Sequence, residues 1–257
     1  MSFYANVRAV FTDMDGTLTS RGRVLASTYS ALAALDDAGI PVVLVTGRPA
    51  GWAEAIVRLW PLRAAVAENG GVLFLPGGGP NGQKLRKVYS VATSTLPRVR
   101  QRMRAAARAV AASVPGARLA ADSPYTEVNL AIDWNEDAHL SEAAARRIER
   151  MLRERGFNAV RSSVHVNFWP GRFDKLTACR QVVTEALGGR ADDLAPYVYV
   201  GDALNDEPMF RGFPRSVGVA NVRDVWDELA AKPARVTRRR EGAGFEEVAR
   251  QILAARR

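Results

Sequence analysis

Two carboxylates, Asp13 and Asp15, directly follow an apolar run at residues 7–12. Residues two apart point the same way on an extended chain, and Gly16 permits a tight bend just beyond them. Paired carboxylates repel each other unless they share a proton or bind a cation. The segment therefore predicts either a site for a cation or a shared proton, or a turn of the kind that Asp and Gly commonly build.

Polar residues also end two later apolar runs. Thr46 and Gly47 stand just before Pro49, where a helix is expected to begin, and a hydroxyl beside free N–H groups at a helix start can bind an anion. Thr46 could equally serve as the N-cap of that helix. The run at residues 196–200 ends in a polar cluster that a simple turn does not require, which consists of Asp202, Asn205 and Asp206.

Lysine is rare in this chain, because only four of the 36 basic residues are lysine. One of the four, Lys175, lies near the start of a predicted helix, between the second and the last of these segments. Its compact ammonium could hold a phosphate group as a point charge. The alternative is a solvated surface lysine, which is the usual place of this residue type.

The apolar runs alternate with segments of helical periodicity. Buried strands are predicted at 7–12, 41–46, 64–67, 196–200 and 216–219, and helices at 27–38, 49–59, 174–187 and 245–254. This alternation predicts a parallel sheet covered on both faces, which is a Rossmann-like doubly wound α/β core. Ligands bind at the carboxyl ends of the strands in such sheets, so the polar residues should meet there.

A glycine- and proline-rich cluster at residues 76–82 interrupts this pattern and suits a domain boundary. From residue 84 onward the predicted order is strand, helix, strands, helix and strand, which indicates a small antiparallel sheet backed by helices. We therefore expect a core made of residues 1–80 and 170–257, and an inserted α+β cap domain of residues 81–169.

Composition and charge bear on partners and location. The net charge is +9, but the arginines are scattered, so no nucleic acid partner is expected. No run of about 18 uncharged apolar residues exists, so no membrane association is expected. Cys179 is the only cysteine and excludes an intramolecular disulfide. With no secretion signal at the N-terminus, a cytoplasmic location is expected. The sequence leaves the oligomeric state open.

Taken together, the four polar segments resemble the motifs of the haloacid dehalogenase-like hydrolase superfamily. They are Asp13-Met14-Asp15-Gly16-Thr17, then Thr46, then Lys175, then Gly201-Asp202 with Asn205-Asp206. The insert lies between the second and third motifs, which is similar to class II subclass B, the branch of Cof-like, sucrose-phosphate and mannosyl-3-phosphoglycerate phosphatases. Glu68-Asn69-Gly70-Gly71 also resembles that branch, whereas Leu176 stands where many relatives carry glycine.

The resemblance implies a Mg²⁺-dependent phosphatase. In this reading Asp13 attacks phosphorus to form an aspartyl-phosphate, and Asp15 protonates the leaving oxygen and later activates water. The phosphoryl oxygens would be held by Thr46, Gly47, Lys175 and Asn205. Mg²⁺ would be bound by the Asp13 side chain, the Asp15 backbone carbonyl and Asp202, with support from Asp206.

The expected partner is a small phosphorylated metabolite, such as a sugar phosphate or a phosphoglycerate-type acid. A nucleotide, a cofactor or phosphoglycolate is the alternative within the phosphatases. A basic nucleic-acid-binding module without catalysis is the alternative from another class. Residues that could reach the substrate from the cleft, or could simply be solvated, are Arg48, Glu68, Asn69, Arg86, His165, Asn167 and Arg172.

Overall fold

The computed structural model describes residues 3–78 and 84–256. Within these residues there are seven α-helices: α1 (Ala26–Asp37), α2 (Ala50–Leu59), α3 (Leu96–Ser113), α4 (Glu142–Glu154), α5 (Lys175–Ala186), α6 (Glu207–Gly212) and α7 (Glu241–Ala254). The same described part holds fourteen β-strands: β1 (Ala9–Thr12), β2 (Thr19–Ser20), β3 (Arg23–Val24), β4 (Val42–Val45), β5 (Ala64–Ala67), β6 (Val72–Pro76), β7 (Leu85–Tyr89), β8 (Arg118–Leu119), β9 (Leu130–Asp133), β10 (Asn158–Arg161), β11 (His165–Trp169), β12 (Tyr197–Gly201), β13 (Arg215–Gly218) and β14 (Arg235–Val236).

Eight strands of the described part form one large sheet in the order β14-β13-β12-β1-β4-β5-β6-β7. The strands from β14 to β5 are parallel, and β6 and β7 extend the sheet in antiparallel orientation. The chain leaves β1 toward β4 and leaves β12 toward β13, so the connections after these two neighbours run to opposite sides. The ligand crevice of a doubly wound sheet lies at such a switch point, at the carboxyl ends of β1 and β12.

The central strands are apolar at nearly every position because both faces of the large sheet are covered. In β1, Val10 points to one face, and Ala9 and Phe11 point to the other. Helices α1, α2 and α7 pack on the first face, and α5 and α6 pack on the second. The predicted α/β class with a Rossmann-like core is thereby confirmed.

Four further strands of the described part form an antiparallel sheet in the order β10-β11-β9-β8. Helix α4 begins after Ser141, whose hydroxyl accepts a hydrogen bond from Ala144 N at 3.2 Å. Helices α3 and α4 pack on this sheet and give it an apolar core of its own, which includes Met103, Val110, Ile132, Ile148, Leu152 and Phe168. We call this unit, from α3 to β11, the cap.

The sequence assigns β7 to the insert, and this assignment is wrong. Residues Leu85–Tyr89 pair with β6 and so belong to the edge of the large sheet. The pairing joins segments on opposite sides of the glycine-rich stretch, and neither segment alone reveals its partner strand. The insert therefore starts after β7. The expected boundary between residues 80 and 81 lies outside the described residues.

Helix α3, with 18 residues, is the longest helix in the described part of the chain. Its sequence carries several arginines among its alanines, so its surface is far from uniformly apolar. In residues 3–78 and 84–256, no helix combines the length and the apolar character that crossing a membrane requires.

Candidate active site

Asp13 and Asp202 follow the two neighbouring strands at the switch point. Asp13 comes directly after β1 and donates its N–H to Val200 O of β12 at 2.9 Å, and Asp202 comes directly after β12. Gly16 lies between them with a φ of +74°, and a Cβ there would be 2.4 Å from Asp202 Oδ2. Only glycine fits this turn, which brings the two acidic loops together.

Lys175, the first residue of α5, is buried between two carboxylates. Its Nζ donates to Asp13 Oδ1 at 2.8 Å and to Asp206 Oδ1 at 2.7 Å. Burial by itself lowers the pKa of Lys175, but the charges of the two carboxylates outweigh it and raise that pKa above its ordinary value. The side chain is therefore an ammonium, and it is not the solvated surface lysine that the sequence left as an alternative.

Asp206 already uses both of its carboxylate oxygens. Oδ1 accepts from Lys175 and from Tyr199 OH at 2.5 Å. Oδ2 accepts from the backbone N–H groups of Asp202 at 2.9 Å and Ala203 at 3.1 Å. Four donors leave little capacity for a metal ion, so the geometry favours Asp206 as the group that orients Lys175 and the Asp202 loop, rather than as a direct ligand.

One buried acidic cluster could hold a metal ion. Ligand atoms of Asp13, Asp202 and Asp206 lie within 4.8 Å of one another. Burial, together with repulsion from neighbouring carboxylates, raises the pKa of Asp13 to about 7 and raises the pKa of Asp202 well above its ordinary value. Lys175 supplies one positive charge against three carboxylates, so a divalent cation that prefers oxygen ligands would complete the charge balance.

The loop after β4 brings Thr46 to the same edge of the sheet. Thr46 N donates to Val66 O at 2.8 Å, and its buried hydroxyl accepts from Arg48 N at 3.0 Å. The start of α2 itself is not free for an anion, because Ala50 N donates to Glu68 Oε1 at 2.9 Å. The helix-terminus site expected from the sequence is thus occupied by a side chain of the protein.

Glu68 lies at the centre of a joint between the large sheet and the cap. Besides Ala50, its carboxylate accepts from the backbone N–H groups of Glu127, Val128 and Asn129 at 2.6–2.8 Å. Burial raises the pKa of Glu68, although these donors oppose the shift. With four donors on two oxygens, Glu68 anchors the cap and has no oxygen free for substrate, so its assignment as a substrate-binding residue is wrong.

Arg48 joins three carboxylates across the cleft between the large sheet and the cap. Its Nε and Nη2 donate to the two oxygens of Asp15 at 2.8 and 2.9 Å. From the cap side it contacts Asp122 at 3.1 Å and Glu136 at 2.6 Å. His165 Nε2 lies 2.9 Å from Glu136 Oε2. These contacts with His165 and Arg48 outweigh burial and lower the pKa of Glu136 to about 2.

Comparison with known sequences connects this geometry to a family. Residues 10–80 match the family model of haloacid dehalogenase-like hydrolases. A phosphoglycolate phosphatase of Methanobrevibacter smithii is 42% identical over 73 residues, which cover 27% of this chain and 30% of that protein. A phosphoglycolate phosphatase of Haloarcula marismortui is 29% identical over 244 residues, which cover 93% of this chain and 94% of that protein. The match to the first relative thus spans less than a third of its length.

Solved structures share the fold. A Thermoplasma acidophilum protein superposes with a TM-score of 0.73 at 17% identity, over 96% of this chain and 98% of that one. The sugar phosphatase BT4131, described as subclass IIB of the same superfamily, gives a TM-score of 0.64 at 16% identity over 96% and 98% of the two chains. Residues 10–80 are thus similar in sequence to the haloacid dehalogenase-like hydrolases, and the chain as a whole shares the fold of the BT4131 phosphatase. By this likeness the large sheet is the core and the smaller α+β unit is its cap.

Of the residues proposed to reach the substrate, Arg86 lies away from the cleft and Arg172 has no described contact with the site. Arg86, on β7, forms an exposed ion pair with Glu185. Glu185 is ten residues after Lys175 on α5, which is about 15 Å along the helix axis. Arg172 is exposed in the loop between β11 and α5. The assignment of Arg86 to the cleft is therefore wrong, and no contact described for Arg172 joins it to the acidic cluster.

The sequence analysis did not identify several residues of the site. Tyr199 and Asn221 support the carboxylates of Asp206 and Asp202, and Thr17 Oγ1 donates to Asp202 Oδ1 at 2.8 Å. Asn221 had a readable signal, since it follows a strand at the same edge of the sheet. The cap residues that contact Arg48 had no such signal, because they stand in loops of the insert without a motif; these are Asp122 and Glu136.

Proposed function

We propose that this chain is a Mg²⁺-dependent phosphomonoesterase that acts through an aspartyl-phosphate on Asp13. The observation that carries the proposal is the contact of Lys175 Nζ with Asp13 Oδ1 at 2.8 Å, beside Asp202 and at the switch point of the sheet. An ammonium that fixes one oxygen of a buried carboxylate leaves the other oxygen oriented for attack. That arrangement suits a nucleophile better than it suits a turn.

The proposed reaction has two displacements at phosphorus. First, Asp13 Oδ2 forms a bond to phosphorus while the ester P–O bond breaks, and Asp15 gives its proton to the leaving oxygen. Then a water molecule attacks phosphorus, Asp15 takes a proton from it, and the bond from phosphorus to Asp13 breaks. Lys175, Thr46 and Asn205 would hold the phosphoryl oxygens through both steps, because donors fixed in advance stabilise the developing charge.

The residues present fit Mg²⁺. Asp13 and Asp202 supply carboxylate oxygens, and the raised pKa of each supports a bound cation, which would favour the charged form. The Asp15 carbonyl is the third proposed ligand. When bound, Mg²⁺ would neutralise the carboxylates and the incoming phosphoryl group. Asp206 keeps Lys175 and the Asp202 loop in place through its four hydrogen bonds.

The relatives and the site geometry support two different substrate classes. Phosphoglycolate is supported by the names of the relatives, above all the Haloarcula marismortui protein that aligns over 93% of this chain. A sugar phosphate, which carries no carboxylate, is supported by the state of Arg48. Asp15, Asp122 and Glu136 already neutralise this guanidinium, so a substrate carboxylate would have to displace one of them. We therefore place the sugar phosphates first.

Exchange of the proposed nucleophile tests the reaction. Asp13→Asn keeps the shape of the side chain but removes the attacking oxyanion, so turnover of p-nitrophenyl phosphate with Mg²⁺ should fall by about 10⁴-fold or more. Asp192→Asn is the matched control, because Asp192 is exposed and pairs with Arg190, which is also exposed. Full activity in Asp13→Asn would exclude Asp13 as the nucleophile.

A further inference from the structure

Three buried asparagines from different parts of the chain meet above the Gly47 loop. Asn69 follows β5 in the core, Asn129 precedes β9, and Asn167 lies within β11 of the cap, and each is at most 2% exposed. Asn129 Nδ2 donates to Asn167 Oδ1 at 3.4 Å. A Cβ added at Gly47 would be 3.2 Å from both Asn69 Nδ2 and Asn167 Nδ2. We call these three side chains the amide cluster.

The amide cluster has hydrogen-bonding groups without partners. Within the described residues, neither Nδ2 nor Oδ1 of Asn69 has a partner, and Oδ1 of Asn129 has none. An unpaired buried polar group destabilises the fold, so such groups in a folded protein call for a ligand or a bound water. The position beside Gly47 and next to Arg48, which holds Asp15, is where the leaving group of a phosphate ester would lie.

The backbone around Asn69 is held in a costly conformation. Glu68 and Asn69 have φ values of 52° and 56°, in the left-handed region that L residues seldom adopt. The four hydrogen bonds of the Glu68 carboxylate keep this loop in place. Left-handed residues other than glycine cluster at binding sites, where the surrounding structure fixes them. The loop thus presents the Asn69 amide at a defined position.

The chemistry of Asn69 selects the kind of group that it could bind. A primary amide has a donor end and an acceptor end, and rotation of the amide by 180° merely exchanges the two. Because both ends of Asn69 are unpartnered, the complementary group must both donate and accept. A hydroxyl does both, whereas a carboxylate or a phosphoryl oxygen only accepts. The three amides carry no charge, so the amide cluster leaves the charge balance around Arg48 unchanged.

A cavity gives such a group room. It has a volume of about 210 Å³, and of the three asparagines Asn69 lines it, together with Lys175 and Asn205 of the proposed phosphate site. Val160 and Trp169 of the cap form an apolar part of its wall. A molecule with a phosphoryl end, several hydroxyls and apolar C–H faces matches these walls.

We propose that the amide cluster is a subsite for hydroxyl groups of the leaving group, so that the enzyme selects hydroxylated phosphate esters over unhydroxylated ones such as phosphoglycolate. The proposal rests on the phosphatase function proposed above. A site built to hydrogen-bond a hydroxyl discriminates strongly against an analogue without one, because its polar groups are then left unpaired. The specificity of this hydrolase would then depend on Asn69 from the core as much as on the cap.

Calorimetric binding to the Asp13→Asn protein with Mg²⁺ tests the subsite without turnover. The probes are glucose 6-phosphate, phosphoglycolate and inorganic phosphate, each titrated with and without the exchange Asn69→Gly. Glycine suits the positive φ of residue 69, so the loop can keep its shape. We expect Asn69→Gly to raise the Kd of glucose 6-phosphate by about tenfold relative to the Kd of inorganic phosphate.

A second exchange and a control complete the binding test. Asn167→Val removes an amide of the cluster and suits a strand, and it should act in the same direction. Asn135→Ala is the control, because Asn135 contacts Ser163 O in an exposed loop of the cap. An unchanged ratio of the two Kd values in both cluster variants would overturn the proposal, as expected if ordered water alone satisfies the amides.

Steady-state kinetics separates failure of the subsite from failure of the function. If the unaltered enzyme hydrolyses none of the esters with Mg²⁺, the phosphatase function is wrong. If it turns them over, kcat/KM for glucose 6-phosphate should exceed that for phosphoglycolate, and Asn69→Gly should reduce this ratio by about tenfold. A preference for phosphoglycolate in the unaltered enzyme, or a ratio that Asn69→Gly leaves unchanged, would overturn the subsite alone.

Discussion

At the scale of single residues, charge balance explains the site. Asp13, Asp202 and Asp206 are buried together, and Lys175 is the ammonium that faces two of them. Buried carboxylates are costly unless they are paired, so the cluster is stable only with its counter-charges in place. The same excess of negative charge suits the divalent cation proposed above.

Mg²⁺ should therefore stabilise the protein. An ion that binds only the folded state adds about 2.7 kcal/mol of stability at a concentration 100 times its Kd. Thermal unfolding with increasing MgCl₂, against EDTA, should show a rising Tm. Asp202→Asn should abolish most of this rise, whereas Asp224→Asn, an exposed exchange, should keep it. A Tm that is independent of Mg²⁺ in the unaltered protein would exclude the proposed site.

Removal of Lys175 should strongly destabilise the fold. Lys175→Met leaves the carboxylates of Asp13 and Asp206 buried without their ammonium, and breaking a buried pair costs about 3–5 kcal/mol. Urea unfolding in EDTA measures the loss, with Lys84→Met as the control because Lys84 is exposed. Equal unfolding midpoints for the two variants would contradict the role given to Lys175.

At the scale of elements, Glu68 connects three segments. Its carboxylate accepts N–H groups from the start of α2 and from residues 127–129, where the chain enters β9. The left-handed loop after β5 aims the carboxylate at these donors. The joint between core and cap therefore depends on one buried acid and on the four backbone N–H groups that it accepts from.

Glu68→Gln tests this joint. An amide offers one acceptor oxygen, and its NH₂ would face backbone donors, so unpaired groups should cost about 1–3 kcal/mol. Chemical denaturation measures the change, and Glu54→Gln on the exposed face of α2 is the control. If both variants lose the same small free energy of unfolding, the Glu68 carboxyl is protonated in the folded protein, and an amide replaces it without loss of stability.

At the scale of the whole molecule, Arg48 holds the cap against the core. It stands 74 residues from Asp122 and 88 from Glu136 along the chain, yet contacts both, together with Asp15. The cleft is thus closed by an ion network that includes the proposed acid of the reaction. Release of the cap requires these contacts to break.

The network should make stability depend on pH in a defined range. The pKa of Glu136 is lowered from 4.5 to about 2, so its contribution is complete above about pH 4.5 and is lost as the pH falls toward 2. The Tm difference between the unaltered protein and Glu136→Gln should be constant near pH 6 and should shrink below pH 4.5. Glu142→Gln, at an exposed position, should show no such trend. A difference that stays constant down to pH 3 would contradict the network.

The sequence by itself determined the polar residues at the strand ends and the class of the fold. Both depend on local pattern, since an apolar run followed by Asp13-Met14-Asp15-Gly16 marks a strand end whatever surrounds it. The approach of Asp13 to Asp202 followed from the rule that parallel strands end at one edge. The choice of Asp15, Thr46 and Lys175 as site residues remains a prediction for the experiments above.

Only the tertiary structure decided which side chains already form all their hydrogen bonds within the protein. Glu68 and Asp206 are acids in promising positions, but four donors occupy each of them. All four donors of Glu68 come from distant segments, and those of Asp206 include the distant Lys175. The strand order that moves β7 into the core, and the meeting of Asn69 with Asn167, also depend on pairing between remote segments. Hydrogen-bond capacity is finite and its partners are non-local, so no local pattern in the sequence can show which groups are left for a ligand.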